Sequence, residues 1–595
     1  MKKYTSPGET AIAADDNAVA AFLGRAESHP DAAALAYRDG DRFVDVSAKD
    51  MLGRIEPLAA GLIAKGLDKG DRVAIYSGTR LDFTLAQYAI WMAGGVPVTV
   101  YETSSADQVK WIMSDSGCRM VFCENDELHG VVSGAAGELP ALQEVFVIDS
   151  GGMSDLAQAA TEASLAELPS RIASLSHDDL ALLIYTSGTT GLPKGCMLTH
   201  YNFIWDVRQV MQEMHDLFTE GNSTLMFLPL AHSFAQVVQV GCVSTGITIG
   251  FSTGTPQLVE ELAMFKPRWV FSVPRVFEKV YNTAKARADA DGKGSIFDLA
   301  VKTAISYARQ DQAGSIKLTT RLAHGLFDRL VYGKLRDIFG GRLKYAISGG
   351  AALGDRLGFF YKGLGITVLE GYGLTETTAA TFFNRPDDIR IGTVGRPASG
   401  GSVAIADDGE VLIKGGCVFR GYWKNERATA EVFDDDGWFH SGDIGQIDSD
   451  GYLSITGRKK ELIVTAGGKN VAPAVLEDRM RAHALISQCM VVGDGQPFIS
   501  ALVTIDPETY PEWAKEHDKP ENVMEAVTDD DLRAEIQNAV DDANKAVSKA
   551  ESVRTFRILP DDFTIEGGEL TPTLKVKRGV VSDKYADVIE SIYTK

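Results

Sequence analysis

Short apolar runs that alternate with amphipathic stretches of helical period constrain this chain more than any other feature. Arg72-Val73-Ala74-Ile75-Tyr76 and the runs 95–101 and 119–123 read as buried strands, and residues 83–93 and 107–116 between them read as helices. Apolar runs at 145–148, 180–185, 268–273 and 344–348 continue the series. A strand covered on both faces is apolar throughout, and a helix between successive strands makes the crossover that a parallel sheet needs. The fold class is therefore α/β, with a large N-terminal domain of layered, mostly parallel sheets and helices. From about residue 390 the texture shifts to short strands with Gly and Asp turns (409–415, 448–455, 457–464), a small-strand subdomain. The remainder mixes a helix over 470–483, strands at 490–492 and 500–505 and a charged helix near 529–550, a smaller and mobile α+β domain. A basic cluster within 456–461 separates two strand-like runs, so the expected division is 1–459 and 460–595.

Charge and cysteine usage remove several classes of function. With 59 Lys and Arg against 81 Asp and Glu, the 595 residues carry a net charge of −22, which disfavours nucleic acid as a partner. Cys118, Cys123, Cys196, Cys242, Cys417 and Cys489 are scattered without a CxxC pair, so neither a disulfide framework nor a zinc site is expected. The first nine residues run directly into polar and acidic sequence, unlike a signal peptide. The apolar stretches 86–101 and 237–251 are short and interrupted, unlike a membrane span. A cytoplasmic location is expected, with room for peripheral contact at the inner face of a membrane, although no basic amphipathic anchor stands out.

The strongest chemical signal is Tyr185-Thr186-Ser187-Gly188-Thr189-Thr190-Gly191-Leu192-Pro193-Lys194-Gly195, placed directly after a buried strand. Its glycines let backbone amides approach an anion, its hydroxyls donate hydrogen bonds, and Lys194 adds positive charge. The GxxxxGK[ST] spacing of a Walker A loop is absent, which disfavours a P-loop kinase or GTPase. Near residues 341–350 a second strand ends in Ser348-Gly349-Gly350-Ala351-Ala352, which would set backbone amides at the sheet's carboxyl edge, where open α/β sheets bind ligands.

At these residues the chain resembles the AMP-forming acyl-CoA synthetases of the adenylate-forming superfamily. Further motifs follow in that family's order: Leu228-Pro229-Leu230-Ala231-His232-Ser233, Gly371-Tyr372-Gly373-Leu374-Thr375-Glu376, Trp438-Phe439-His440-Ser441-Gly442-Asp443, Gly457-Arg458-Lys459-Lys460 and Leu570 through Arg578. The details are most similar to the bacterial, mycobacterial-type long-chain fatty-acid–CoA ligases. The resemblance implies a reaction in two halves, in which a carboxylate and ATP give acyl-AMP and pyrophosphate, and CoA then displaces AMP. It implies fatty acid, ATP and CoA as small-molecule substrates, and Mg²⁺ as the metal. A fatty acyl-AMP ligase, which hands the adenylate to a carrier-protein thiol, shares every ATP-site residue and stays open as the alternative.

The same resemblance assigns roles residue by residue. Thr186, Ser187, Gly188, Thr189, Thr190, Gly191 and Lys194 would hold the phosphates, and Thr375 would donate to the α-phosphate. Glu376 with Thr186 would ligate Mg²⁺ through hard oxygen donors. Gly349, Gly350, Glu370, Gly371 and Tyr372 would frame adenine, and Asp443 and Arg458 would take the ribose or phosphate. Lys460 is the implied hinge, Lys575 the lysine that bridges carboxylate and α-phosphate, and Gly467 and Gly468 the walls of a pantetheine channel. His232 would lie near the carboxylate, or else be a histidine satisfied in the core or at a strand end. Some long-chain members carry a tryptophan gate four residues after this histidine, where this chain has Gln236. The apolar residues 237–251 read equally well as acyl-tunnel lining and as core strand.

Overall fold

A computed structural model describes residues 2–186, 192–571 and 574–594, with the side chain of Thr255 left aside. The first sheet runs in the order Glu144–Val147, Met120–Cys123, Arg72–Tyr76, Val96–Val100, Leu180–Thr186 and Lys194–Thr199. Its first five strands are parallel, and only the final hairpin reverses direction. Every residue of Val96–Val100 is buried, as an interior parallel strand covered by helices on both faces requires. The crossover helix Ala106–Ser116 shows why the chain turns where it does. Ser105 and Gln108 form a capping box at its start, and Gly117, with φ near 67°, closes its end in the left-handed conformation that suits glycine.

A second sheet places Trp269–Ser272, Tyr345–Ser348 and Thr367–Tyr372 in parallel, extended by two short antiparallel strands. A third joins Ser223–Met226, Thr248–Phe251 and Ala33–Asp39 in parallel with Arg42–Ser47 antiparallel at its edge. The antiparallel sheet expected after residue 390 is present as Ser402–Ile405, Glu410–Lys414, Phe439–Ile447 and Leu453–Arg458, and the N-terminal strand Lys2–Thr5 completes it.

Beyond Arg458 a separate apolar core forms. Ile486–Val492, Ile499–Ile505 and Val553–Ile558 make a three-stranded sheet on which Pro473–Arg481 and Asp530–Asn544 pack through Leu476, Met480, Leu532 and Ile536. The chain is thus an α/β protein with a large N-terminal domain and a smaller C-terminal one.

Two local readings of the sequence are corrected. Residues 457–464 are not one strand: Leu453–Arg458 ends in the N-terminal sheet, Lys459–Glu461 forms a single 3₁₀ turn, and Ile463–Val464 pairs in a different ribbon. Residues 237–251 are not a core strand either. They complete the helix Ser233–Thr245 and then form Thr248–Phe251 after a left-handed Gly246. A run apolar on every side fits a fully buried helix as well as a strand, and length decides between them.

Candidate active site

The carboxyl ends of Leu180–Thr186, Tyr345–Ser348 and Thr367–Tyr372 border one cavity of about 2280 Å³, which also reaches the C-terminal domain. That volume exceeds the range of roughly 300–1,000 Å³ usual for a single small ligand. Glycine keeps the floor open and folded. A side chain on Gly373 would meet the Ala379 carbonyl oxygen at 1.8 Å, and Gly350 turns with φ near 84°. The segment after it is strained at Thr378 and Ala379, whose φ values are 56° and 82°. It is pinned by the Thr378 hydroxyl donating to the Cys417 carbonyl (2.7 Å) and by the Ala380 amide donating to buried Asp206 (3.1 Å). This frame presents Thr375 and Glu376 to the cavity.

Around Glu376 the groups interlock. The Tyr422 phenol donates to Glu376 Oε1 at 2.8 Å, and the Lys194 ammonium stands 5.0 Å from the Tyr422 ring centre. Burial first, and the Glu376 carboxylate next, push that phenol far above its ordinary range. Tyr422 was not singled out from the sequence. Its only local signal is a Phe-Arg-Gly-Tyr segment, and what brings it to Glu376 is a bridge between Tyr422 and Cys196 beside Lys194–Thr199. Thr186 faces the same place from the adjoining strand, opposite Lys194 in register. Ser187, Gly188, Thr189, Thr190 and Gly191 lie outside the described residues.

On the other wall, Asp443 and Arg458 sit opposite each other on neighbouring strands, and Arg458 Nε donates to Asp443 Oδ1 at 2.9 Å. The Tyr372 phenol donates to Oδ2 at 2.5 Å. Asp443 is therefore buried behind these partners, while Tyr372 and Arg458 line the cavity itself. Ser348 Oγ, buried without a hydrogen-bond partner, belongs to the same lining as Gly349 and Gly350. Glu370 departs from expectation. Although it lies two residues before Tyr372 and so shares that residue's side of the strand, its buried side chain accepts the Leu353 amide at 2.9 Å instead of joining the cavity lining. Burial pushes its carboxyl up to about 7.

His232 is neither a core nor a strand-end histidine. It caps the helix Ser233–Thr245, Nδ1 accepting the Phe234 amide at 3.2 Å, which assigns the ring proton of the neutral form to Nε2. Burial, and then the charge of Lys575, pull it down to about 4, so the imidazole in the cavity wall is neutral near pH 7. Gln236, one turn further on, pairs with Gln87 through reciprocal amide bonds of 2.6 and 2.8 Å and is fully buried away from the cavity. Apolar lining comes instead from Val210, Met214, Phe218, Val237, Val238 and Leu258.

From the C-terminal domain, Lys575 stands on a tight turn in which the Thr571 amide donates to the Lys575 carbonyl at 2.8 Å. Its side chain borders the cavity, where crowding by protein first, and then the charge of Arg458, lower its basicity. Lys460 also borders the cavity, on the 3₁₀ turn where Lys459 is tied to Asp408 (2.6 Å) and Glu410 (3.0 Å). Burial opposes ionisation of Glu410, yet bonds from His440, Lys459 and the Gly442 amide outweigh it and hold the carboxyl below the usual range. Gly467 and Gly468 are not brought to the cavity; they form the exposed turn between Ile463–Val464 and Asn470–Val471. Among the described residues two bridges join the domains, Arg275 to Asp506 at 3.0 Å and Lys279 to Glu508 at 2.8 Å.

Sheet ends, a glycine-framed floor and convergent cations thus border one cavity between the two domains. The chain belongs to the AMP-binding enzyme family, which matches residues 22–423, and the C-terminal domain of AMP-binding enzymes matches residues 460–595. It is 48% identical, over the whole of both chains, to the long-chain-fatty-acid–CoA ligase FadD15 of Mycobacterium tuberculosis. It is 30% identical to the peroxisomal long chain acyl-CoA synthetase 7 of Arabidopsis thaliana, over 90% of this chain and 80% of that protein. Among solved structures, the adenylation domain of a carboxylate reductase from Mycobacterium chelonae aligns with a TM-score of 0.76 at 24% identity, over 97% of this chain and 91% of that one. The corresponding domain from Segniliparus rugosus, in complex with AMP and a co-purified carboxylic acid, aligns with a TM-score of 0.75 at 22% identity, over 97% and 94%.

Proposed function

We propose that the protein is an AMP-forming long-chain fatty-acid–CoA ligase. It converts a fatty acid and ATP to acyl-AMP and pyrophosphate, and then acyl-AMP and CoA to acyl-CoA and AMP. The observation that carries the reading is one cavity in which Lys194, Glu376 and Arg458 of the large domain, the last held from behind by Asp443, face Lys575 of the small one, beside an apolar extension.

Attack of a carboxylate on an α-phosphate brings two anions together, so cations must neutralise the charge as it develops. Lys575 bridges the two, Thr375 donates to the α-phosphate, and Lys194 with the loop 187–191 holds the outgoing pyrophosphate. Adenine lies between Tyr372 and the bare backbone of Gly349, Gly350 and Gly371. A carboxylate accepts about four hydrogen bonds, so Asp443, with two in use, retains room for a ribose hydroxyl. Glu376 and Thr186 are the hard oxygen donors for Mg²⁺. One carboxylate beside substrate phosphates and water suits that ion, and among the described residues no cluster of three His, Cys, Asp or Glu offers a stronger cage. When bound, Mg²⁺ supplies positive charge to the phosphates.

For the second half-reaction the division 1–459 and 460–595 swings at Lys460, the residue after the anchored Lys459. Lys575 then leaves, and the Gly467–Gly468 turn passes along the pantetheine of CoA. Substrates that partition into bilayers suit a cytoplasmic enzyme in peripheral contact with a membrane. The test is turnover of a panel of short to very long carboxylates with ATP and CoA. Pyrophosphate, AMP and long-chain acyl-CoA are expected together. Adenylate that accumulates without thioester, or ADP as product, overturns the reading.

A further inference from the structure

No helix among the described residues is long and apolar enough to cross a membrane. Yet six of the fourteen exposed large apolar residues among those described fall in one helical hairpin, Gly294–Gln312 followed by Leu318–Phe327 and its continuation Asp328–Tyr332. Leu318, Leu322, Leu326 and Leu330 recur every fourth residue, with exposures between 53% and 69%. That spacing puts them in one stripe along the second helix and its continuation. Ile296 and Leu299 extend the patch. The Tyr332 phenol donates to the Ala300 carbonyl at 2.7 Å, which brings the Leu330 end of the second helix beside the start of the first.

Charge singles out what this patch meets. Residues 293–344 hold ten Lys and Arg against four Asp and no Glu, a net +6 in a chain of net −22. Lys317, Arg321 and Arg329, each next to a leucine of the stripe, are exposed and carry no ion pair among the described residues. An apolar stripe flanked by free cations is the composition of a helix that lies in a lipid interface. Packing of the stripe against a second copy of this chain would press the same cations together in a desolvated seam, whereas anionic headgroups neutralise them. The net charge of the rest of the chain is repelled by such headgroups, which favours approach by this basic hairpin.

We infer that the hairpin 294–332 is a docking face for an anionic lipid bilayer, with the leucine stripe seated among acyl chains and Lys317, Arg321 and Arg329 on the headgroups. This deepens the peripheral placement proposed above and is independent of the ligase chemistry, because the assay reads binding alone.

The experiment is co-sedimentation of the full chain with sucrose-loaded vesicles of mixed phosphatidylglycerol and phosphatidylcholine, or of phosphatidylcholine alone. Each cation near an anionic surface is worth about a fivefold gain in partition at low salt. Binding at least tenfold tighter to the anionic vesicles is expected, falling as salt rises. Leu318→Glu/Leu322→Glu and Lys317→Glu/Arg321→Glu should each cost at least tenfold, with unchanged circular dichroism and unchanged turnover of a water-soluble short-chain acid. The inference fails if the wild-type chain ignores anionic vesicles, or if neither double variant weakens binding. It also fails if the leucine variant instead turns a dimer into a monomer in sedimentation velocity, which would assign the face to a second copy.

Discussion

The two walls of the cavity are built by different means. The N-terminal wall is assembled on sheet ends, and its side chains are committed to partners: Tyr372 and Arg458 to Asp443, Tyr422 to Glu376. The C-terminal wall contributes Lys575 from a tight turn, on a domain with its own core that reaches the larger body through pairs such as Arg275–Asp506 and Lys279–Glu508. In the proposed mechanism the first wall is preorganised and the second is removable. A reaction in two halves needs both, since the nucleotide must stay fixed while the charge that activates it departs.

The largest effect is expected from the removable wall. Lys575→Ala should slow acyl-adenylate formation by about 10²–10³-fold, the scale of losing one preorganised charge on a transition state. Thioester formation from pre-made acyl-AMP should be nearly unchanged. Single-turnover measurements of each half-reaction check this, and equal losses in both would erase the distinction between the walls. Asp443→Asn, on the fixed wall, should instead harm both half-reactions. It should raise the KM for ATP about tenfold and lower stability by about 1–3 kcal/mol, because Arg458 loses a charged partner; nucleotide titration and urea unfolding report the two effects.

Glu370 tests how far the fixed wall tolerates charge. Its carboxyl is raised to about 7 by burial first, with the Leu353 amide opposing and the charges of Asp355 and Asp478 adding to it. The folded state therefore holds a proton that the unfolded state releases near 4.5. The stabilisation is complete below that value and is lost as pH rises through about 7. Glu370→Gln keeps the acceptor for Leu353 and should be more stable than the native chain at pH 8 by about 1–3 kcal/mol, yet equal to it at pH 4.5, by urea midpoints at the two pH values. Tyr422→Phe removes the donor to Glu376 and should weaken the Mg²⁺ requirement of pyrophosphate release about three- to tenfold, read from a Mg²⁺ titration. The smallest change is expected from Arg275→Ala. This half-buried inter-domain bridge, like other ion pairs near a protein surface, is worth about 1 kcal/mol or less, so adenylation should slow about two- to fourfold while thioester formation keeps its rate or gains slightly.

Much of the site was legible because its residues sit in contiguous motifs whose local chemistry speaks for itself. Thr375 and Glu376 share one loop, Lys194 ends a hydroxyl-rich one, and Arg458 closes a strand. Glu370 was misplaced because it adjoins the Gly371-Tyr372-Gly373 motif, and only the fold shows that the Leu353 amide takes up its carboxylate. Tyr422 was missed for the converse reason, since no motif surrounds it and it acquires a role only through a contact across the fold. The stripe of leucines was hidden because period-four apolar residues ordinarily mark a buried face, and only accessibility shows that nothing covers these.

What the sequence determined by itself was the alternation of strand and helix, the loops that present hydroxyls, glycines and lysines, and the break after Arg458. Each is dictated by neighbours within a few residues, through periodicity, capping and backbone freedom. Tertiary structure alone decided that Lys575 meets Arg458 and His232, that Asp443 lies behind Tyr372, that Gln236 turns from the cavity and that Leu318 faces outward. Those outcomes depend on which surfaces remain uncovered when separate cores pack, and that is a property of the assembled layers.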